Sequence, residues 1–297
     1  MSYRDYAAYL LKFFRPAKPV FVVADASDGS TGPILKVLSG KNLKLKILNG
    51  IPDGNFPAHG PDPMKARAEE ELSREIKKSG ADFGVIFDGD GDRIFFVDDL
   101  GRSVNPDAAA LFLSKNFKPP FVITPVSGWA WRKALRSKEM RWSPVGHYFI
   151  KQKMRATCAK FAAEPSGHYY FEFTFGKRKA YYDSALRALV EFASQVSALK
   201  KNGQKLSTWL DSLPEHYSSG ELNFKVKDAG KIVAKIKKVY AKRGKVSALD
   251  GVSVEGKGFW FNVRASNTES LLRLNAEANT KKELAVLLGE IKELIKK

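Results

Sequence analysis

An apolar run from Phe83 to Phe87 stops on alternating carboxylates and glycines, Asp88-Gly89-Asp90-Gly91-Asp92, meets Arg93, and resumes from Ile94 to Val97. Two short apolar runs around such a break predict two strands joined by a tight loop. Three carboxylates at every second position repel one another unless a cation neutralises them. Hard oxygen donors suit Mg²⁺, which keeps water or phosphate oxygens in the rest of its octahedron. The glycines let the backbone fold around an ion, and Arg93 can hold a phosphate beside it. An EF-hand loop also begins with carboxylates at its first, third and fifth positions. It needs Gly at the sixth and Glu at the twelfth, where this chain has Arg93 and Asp99, and it lies between helices. A solvated acidic turn is the remaining alternative for a lone Asp-x-Asp; three in register, closed by an arginine, favour a metal.

The flanking pattern places this loop in an α/β unit. Tyr3, Tyr6, Ala7, Leu10, Leu11 and Phe14 share a helical face that must end before Pro16. Val20 to Ala24 reads as a strand running into the small-residue loop Asp25 to Gly32, and Pro33 to Leu38 as a short helix. Leu43 to Leu48 is the next strand, and Asp62 with Pro63 predicts the N-cap and first residue of a helix to Lys78. With the strand ending at Asp88 this makes a β-α-β-α-β series, the pattern of a mostly parallel sheet with its loops at strand carboxyl ends.

A second series follows Gly101: helix from Pro106 to Lys115, strand from Phe121 to Thr124, helices from Trp129 to Arg136 and His147 to Ala159, and a strand from Lys160 to Ala163. The turn Glu164 to His168, an aromatic strand from Tyr169 to Phe173, a helix from about Tyr181 to Leu199 and the segment Gln204 to Leu213 complete it, with Pro214 as a linker. The remainder reads strand, helix, strands within Gly251 to Val263, a polar loop Arg264 to Ser270, a strand Leu271 to Ala278 and a helix carrying Leu284, Leu287, Leu288, Ile291, Leu294 and Ile295. The expected fold class is therefore α/β, two consecutive mixed-sheet α/β units at 1–102 and 103–214 followed by a smaller α+β unit at 215–297.

Composition narrows the partners. At 297 residues with 44% hydrophobic and 28% charged residues, the chain has the make-up of an ordinary soluble protein of two or three domains. No apolar stretch reaches the ~18 residues of a membrane span, and no signal peptide is evident. The single Cys158 excludes an internal disulfide and a Zn cluster of cysteines, so the expected compartment is the reducing cytoplasm. A net charge of +18 makes polyanions natural partners, from nucleic acid to small phosphorylated metabolites. Many lysines of 225–245 lie opposite the apolar face Ile232, Val233, Ile236, Val239 and Tyr240, which reads as a solvated helix face. No RNA-binding aromatic signature or zinc knuckle is present, so nucleic acid is not the expected partner.

Three further polar clusters can carry chemistry. Arg264-Ala265-Ser266-Asn267-Thr268-Glu269 puts a guanidinium, hydroxyls, an amide and backbone N–H groups into one turn between strands. Such charge-assisted contacts are worth ~1.5–3 kcal/mol each, enough for a few to anchor a phosphate; a hydrogen-bonded hairpin loop is the alternative. Glu164-Pro165-Ser166-Gly167-His168 could bind sugar hydroxyls or be a capped turn. Gly146 and His147 begin a helix, where a phosphate or an acid-base histidine would be well placed. His59 and His216 sit in proline-containing loops and read as surface residues; Trp129, Trp131 and Trp142 read as packing.

Asp88-Gly-Asp-Gly-Asp-Arg93, Val145-Gly-His147 with Ile150 and Lys151 after it, Glu164-Pro-Ser-Gly-His168 and Arg264-Ala-Ser-Asn-Thr268 stand in the order and at the spacing of the α-D-phosphohexomutases. On these motifs, with Asp25 to Pro33 and Pro52 to Pro57 as further matching segments, the chain resembles the phosphomannomutase/phosphoglucomutase group over nearly its whole length. The resemblance implies an isomerase moving phosphate between O1 and O6 of a hexose, mannose or glucose, through a 1,6-bisphosphate, with a phosphorylated serine as donor. It implies Mg²⁺ on Asp88, Asp90 and Asp92, with Arg93 facing the transferring phosphoryl group. Gly146 and His147 would contact substrate near the acid-base position, and Glu164, Ser166 and His168 would bind the sugar ring. Arg264, Ser266, Asn267 and Thr268 would grip the non-reacting phosphate. Three departures qualify it. No Ser-His-Asn-Pro type loop is present, so the expectation is a chain of the family's second, third and fourth domains, either a truncated form with little turnover of its own or one that works with a separately encoded serine domain. Ser127 and Ala108 stand where some members carry a substrate-binding Lys and Arg, and Ser270 replaces a usual proline. A non-catalytic phosphosugar-binding or regulatory protein is the alternative expectation.

Overall fold

The computed structural model describes residues 2–65, 67–266 and 270–296. In the first unit the order is α1 (Tyr3–Leu11), β1 (Val20–Asp25), α2 (Gly32–Leu38), β2 (Leu43–Leu48), α3 (Glu70–Ser79), β3 (Phe83–Phe87) and β4 (Ile94–Val97). The sheet runs β2-β1-β3-β4, parallel except for β4, which returns antiparallel to β3 directly after the acidic loop. The second unit contains α4 (Pro106–Ser114), β5 (Phe121–Ile123), α5 (Trp129–Arg132), β6 (Met140–Trp142), α6 (His147–Thr157), β7 (Phe161–Ala163), β8 (Tyr169–Phe175), β9 (Arg178–Asp183), α7 (Ala185–Lys201) and α8 (Leu206–Asp211). Its sheet is β6-β5-β7-β8-β9, parallel on one side and antiparallel on the other. The third unit, β10 (Tyr217–Lys225), α9 (Ala229–Tyr240), β11 (Gly244–Ser247), β12 (Val252–Gly256), β13 (Phe259–Ala265), β14 (Leu271–Ala278) and α10 (Lys281–Lys296), is an antiparallel sheet β10-β14-β13-β12-β11 carrying two helices. The expected class, two mixed-sheet α/β units and a smaller α+β unit, is the one observed. Among the described residues no helix is long and apolar enough to cross a membrane.

Three helix bounds differ from expectation, and two short strands are additional. The helix expected from Pro63 begins only at Glu70. Asp62 turns its carboxylate onto the Met64 N–H at 3.1 Å, and Arg67 sits at φ +73°, which no right-handed helix can include. The helix expected from Tyr181 begins at Ala185, because Tyr181 and Tyr182 pair with Glu172 and Phe171 across β8 and β9. Ser184 then caps the helix by accepting the Arg187 N–H at 3.2 Å. The helix from Trp129 stops at Arg132, and the unforeseen β6 pairs in parallel with β5. The short edge strand β11 was also not foreseen.

The first two units share one hydrophobic core running from Ala7 to Trp209, whereas the third has its own around Ile236, Tyr240, Phe261, Leu274 and Ile291. Helix α7 joins the first two: Phe192 stacks on Phe96 of β4 at 3.9 Å between centroids and also packs on Phe83. Its hydroxyls finish the seam, with Ser194 Oγ accepting Arg15 N–H and Ser197 Oγ accepting the N–H groups of Ala17 and Lys18.

The third unit meets the second around α5. Gly128 N–H donates to Asp107 at 2.7 Å, Trp129 N–H and the Trp260 indole donate to Glu277 at 2.7 Å, and Arg132 is paired with Glu255. A Cβ on Gly128 would lie 2.5 Å from Glu277 and 2.7 Å from Asp107, so only glycine lets both carboxylates reach the backbone. Burial first, and then the Glu277 charge, raises Asp107 from an ordinary 3.8 to about 7. A raised acid favours the folded state while protonated: that contribution is complete below about pH 4 and disappears as the pH rises through 7. Asp107→Asn keeps an oxygen for Gly128 and removes the charge. The variant's melting temperature should therefore depend less on pH between 4 and 7, with a gain of a few degrees over the parent above pH 7; parallel pH profiles of the two proteins would contradict this.

Candidate active site

The acidic loop owes its shape to Asp88, which is buried at the end of β3. One carboxylate oxygen accepts the Gly91 and Arg93 N–H groups at 3.0 and 3.1 Å, and the other pairs with the Arg93 guanidinium at 2.6 Å. Gly91 adopts φ +78° hard against Thr31, where a Cβ would come within 2.4 Å. The Asp25 to Gly32 loop cradles the turn, with Ser30 donating from N–H to Gly89 O at 3.0 Å and from its hydroxyl to Asp90 O at 2.7 Å. One oxygen each from Asp88, Asp90 and Asp92 then lie within 4.8 Å of one another. An all-oxygen, three-carboxylate set fits a hard divalent cation that keeps open positions, as Mg²⁺ does.

The second unit brings its turn to the same place. Ile94 N–H donates to Gly167 O at 3.1 Å, and Gly167, at φ +90°, lies so close to Phe95 that a Cβ would meet the ring at 2.8 Å. This contact carries His168 to Asp92, with Nε2 3.4 Å from Oδ1, while Ser166 Oγ meets His168 Nδ1 at 2.9 Å. Glu164 is buried with both oxygens engaged, accepting Gly146 N–H at 3.2 Å and the Tyr170 hydroxyl at 2.5 Å. It thereby sets Gly146, at φ +121°, as the N-cap of α6, from which His147 projects.

His147 and His168 face each other with ring centroids 4.5 Å apart and in different electrostatic surroundings. His147 Nδ1 lies 2.8 Å from Asp183 Oδ2, and this contact raises its pKa above the ordinary histidine value against the opposing effect of burial. Burial, and then the charge of His147, lowers His168. Burial opposes ionisation of Asp183, but His147 and Lys151, whose Nζ is 3.1 Å away, hold its carboxyl well below the usual range. Burial lifts the Asp92 carboxyl.

The third unit supplies cations. Arg264, next to last in β13, lies directly across from Arg273 of β14, and Glu221 of β10 lies 3.6 Å from the first guanidinium and 3.1 Å from the second. Ser266 N–H closes the hairpin on Leu271 O at 2.8 Å. Asn267 and Thr268, expected in the same loop, lie outside the described residues. Arg93, Gly146, His147, Glu164, Ser166, His168 and Arg264 all line one cleft of about 610 Å³. Three clusters far apart in sequence therefore converge.

Residues 4–101 match the family model for the phosphoglucomutase/phosphomannomutase α/β/α domain II, residues 107–217 that for α/β/α domain III, and residues 221–294 that for the C-terminal domain. The chain belongs to the phosphoglucomutase/phosphomannomutase family. It is 35% identical to a phosphomannomutase of Methanocaldococcus jannaschii over 99% of its own length and 65% of that protein's. A phosphomannomutase/phosphoglucomutase of Pseudomonas aeruginosa is 33% identical over 90% of this chain and 59% of its own. The crystal structure of a phosphoglucomutase/phosphomannomutase family protein from Burkholderia thailandensis superposes with a TM-score of 0.83 at 27% identity, covering 99% of this chain and 64% of that one. The chain thus spans less than two thirds of the length of these relatives.

Several site residues of this family member were not anticipated from the sequence. Asp183, which orients His147, is a lone aspartate just before a helix cap; that position at a strand carboxyl end was its only signal. Arg273 could have been reached by counting back across the hairpin from Arg264, whereas Glu221 carries no local signal. His59, expected at the surface, is largely buried with Nε2 3.2 Å from Asp25, which raises its pKa against burial. Asp25 also accepts Ser27 N–H and the Asn49 amide, so this knot holds the loop that cradles the acidic turn. Trp129 and Trp131 are buried as expected, but Trp142 is 40% exposed.

Two measurements test this geometry. Asp90 is exposed, so Asp90→Asn should weaken divalent-cation binding by about tenfold or more in calorimetry without lowering thermal stability. Asp88→Ala should lose both, with a stability loss on the order of 1–3 kcal/mol from the orphaned loop N–H groups. In an NMR titration of the ring protons, His147 should titrate above His168, and Asp183→Asn should lower the His147 midpoint while leaving His59 unchanged. Coincident midpoints for His147 and His168 would contradict the arrangement.

Proposed function

We propose that this chain provides the metal, sugar and distal phosphate subsites of a phosphohexomutase interconverting hexose 1-phosphate and hexose 6-phosphate through a 1,6-bisphosphate. The observation that carries the reading is the convergence of Arg93 beside three carboxylates, a pair of histidines and Arg264 on one cleft. We take the units 1–102, 103–214 and 215–297 to act as three rigid parts of that site.

Asp88, Asp90 and Asp92 would hold Mg²⁺, which supplies charge neutralisation at a transferring phosphoryl group. Arg93, fixed by Asp88, offers its remaining N–H groups to the same phosphoryl oxygens. The two histidines are driven apart in basicity, the pattern of an acid and a base serving one reaction. His168, the less basic of the two, is suited to accept the proton of the attacking sugar hydroxyl. His147, the more basic and held by Asp183, is suited to steady the oxygen and return a proton. Ser166 and Glu164 fix this pair and border the ring. Arg264, with Ser266, Asn267 and Thr268, would hold the phosphate that does not react. The phosphoryl donor in this reading is a phosphoserine carried outside residues 1–297.

Calorimetry with Mg²⁺ present should detect binding of glucose and mannose phosphates but not of the free sugars. Arg264→Ala should weaken that binding by ~10–100-fold, the loss of one charge-assisted contact pair. Mutase turnover should be slight for the chain alone and should rise when a serine-bearing domain of a relative is added. Binding with no gain in turnover would instead favour a phosphosugar-binding regulatory role, and absence of binding would overturn both.

A further inference from the structure

Asp92, His147, His168 and Asp183 make a second cluster whose donors differ in kind from the acidic loop. One ligand atom of each lies within 4.8 Å of the others, and the four come from the acidic loop, the start of α6, the Glu164 to His168 turn and the end of β9. His147 Nδ1 lies 2.8 Å from Asp183 Oδ2, and His168 Nε2 lies 3.4 Å from Asp92 Oδ1. Nitrogen and oxygen donors held ~2.0–2.2 Å from a tetrahedral ion stand roughly 3.3–3.6 Å apart. The His168–Asp92 contact has that edge length; the His147–Asp183 contact is a hydrogen bond that must open by about half an ångström to admit an ion, and the half-exposed His147 ring can swing to do so.

Two of these side chains, His168 and Asp183, have behind them contacts of the kind that orient ligands in built metal sites. The other ring nitrogen of His168 is engaged by Ser166 Oγ at 2.9 Å, and the second oxygen of Asp183 is held by Lys151 at 3.1 Å. Two carboxylates balance a divalent ion, and two imidazoles select a borderline one such as Zn²⁺ over Mg²⁺.

We propose that Asp92, His147, His168 and Asp183 form a binding site for a borderline divalent transition-metal ion, of which Zn²⁺ is the type. The site is distinct from the all-oxygen set at Asp88, Asp90 and Asp92 but shares one ligand with it. Binding of this ion does not depend on the hexose phosphate reading. Its consequence does: an ion held here occupies a nitrogen of each histidine and draws on Asp92, so it acts as a brake on phosphoryl transfer at the adjoining site.

Co²⁺ is the probe, added to the full chain in excess Mg²⁺ so that the acidic loop is filled. A visible absorption band of nitrogen-ligated, low-coordinate Co²⁺ should appear and be abolished by stoichiometric Zn²⁺. It should be lost in His147→Ala and in His168→Ala, with folding checked by circular dichroism, and retained in Asp90→Asn. Absence of the band, its survival in both histidine variants, or its loss in Asp90→Asn overturns the proposal. Anomalous scattering at the zinc edge from crystals of the unaltered protein gives a reading free of any folding defect: density between His147 and His168 supports the site, and density confined to the acidic loop rejects it.

Discussion

Burial of helix α7 between two sheets is the constraint on which the rest of the cleft depends. Its residues from Ala185 to Ala193 are buried, so the helix cannot be shed by either unit without exposing a shared core. Even its charges are accounted for: Arg187 donates to Glu172 O at 2.7 Å, pairs with Glu191 and lies over the Phe13 ring at 3.7 Å. Because α7 fixes the first sheet against the second, the carboxyl end of β3 and the turn before β8 meet in one geometry. The contact of Gly167 with Phe95 and the approach of His168 to Asp92 follow from that docking.

The same economy governs the polar residues. Asp88 shapes the loop with the carboxylate that also faces the ion position, and Glu164 uses both oxygens to hold Gly146 and Tyr170. Such groups serve the site by orienting others, which is why the cleft is built from neighbours of strand ends. Orientation also explains how two histidines a few ångströms apart differ in basicity. Asp183 stands behind one, while the other is buried and faces the charge of the first.

Much of this was legible in the sequence where chemistry and local pattern coincide. The acidic loop announces itself because apolar runs flank it, and Gly146-His147 and Glu164 to His168 sit at element boundaries marked by glycine and proline. The strands of the first unit were readable for the same reason. Elements whose status is decided by distant partners were not: β6 exists because β5 offers a parallel edge, and Tyr181 and Tyr182 are extended because β8 lies alongside. His59 looked like a loop histidine because Asp25, its partner, is remote in sequence. Asp183, Glu221 and the Asp107 and Glu277 pair were silent on the same ground, since a single carboxylate has no periodicity and its meaning comes from what folding places beside it.

Glu221 gives the third unit a property beyond positioning. With this carboxylate between Arg264 and Arg273, the chain carries its own counter-ion at the place where cations gather. An anion arriving there does not meet bare charge; it exchanges with a resident one, and only the difference between the two sets of contacts remains as affinity. A singly charged ion gains little from such an exchange, whereas a dianion with several oxygens can satisfy both guanidiniums at once. The internal carboxylate therefore sets a threshold that any incoming anion has to exceed, and it keeps two adjacent arginines tolerable side by side.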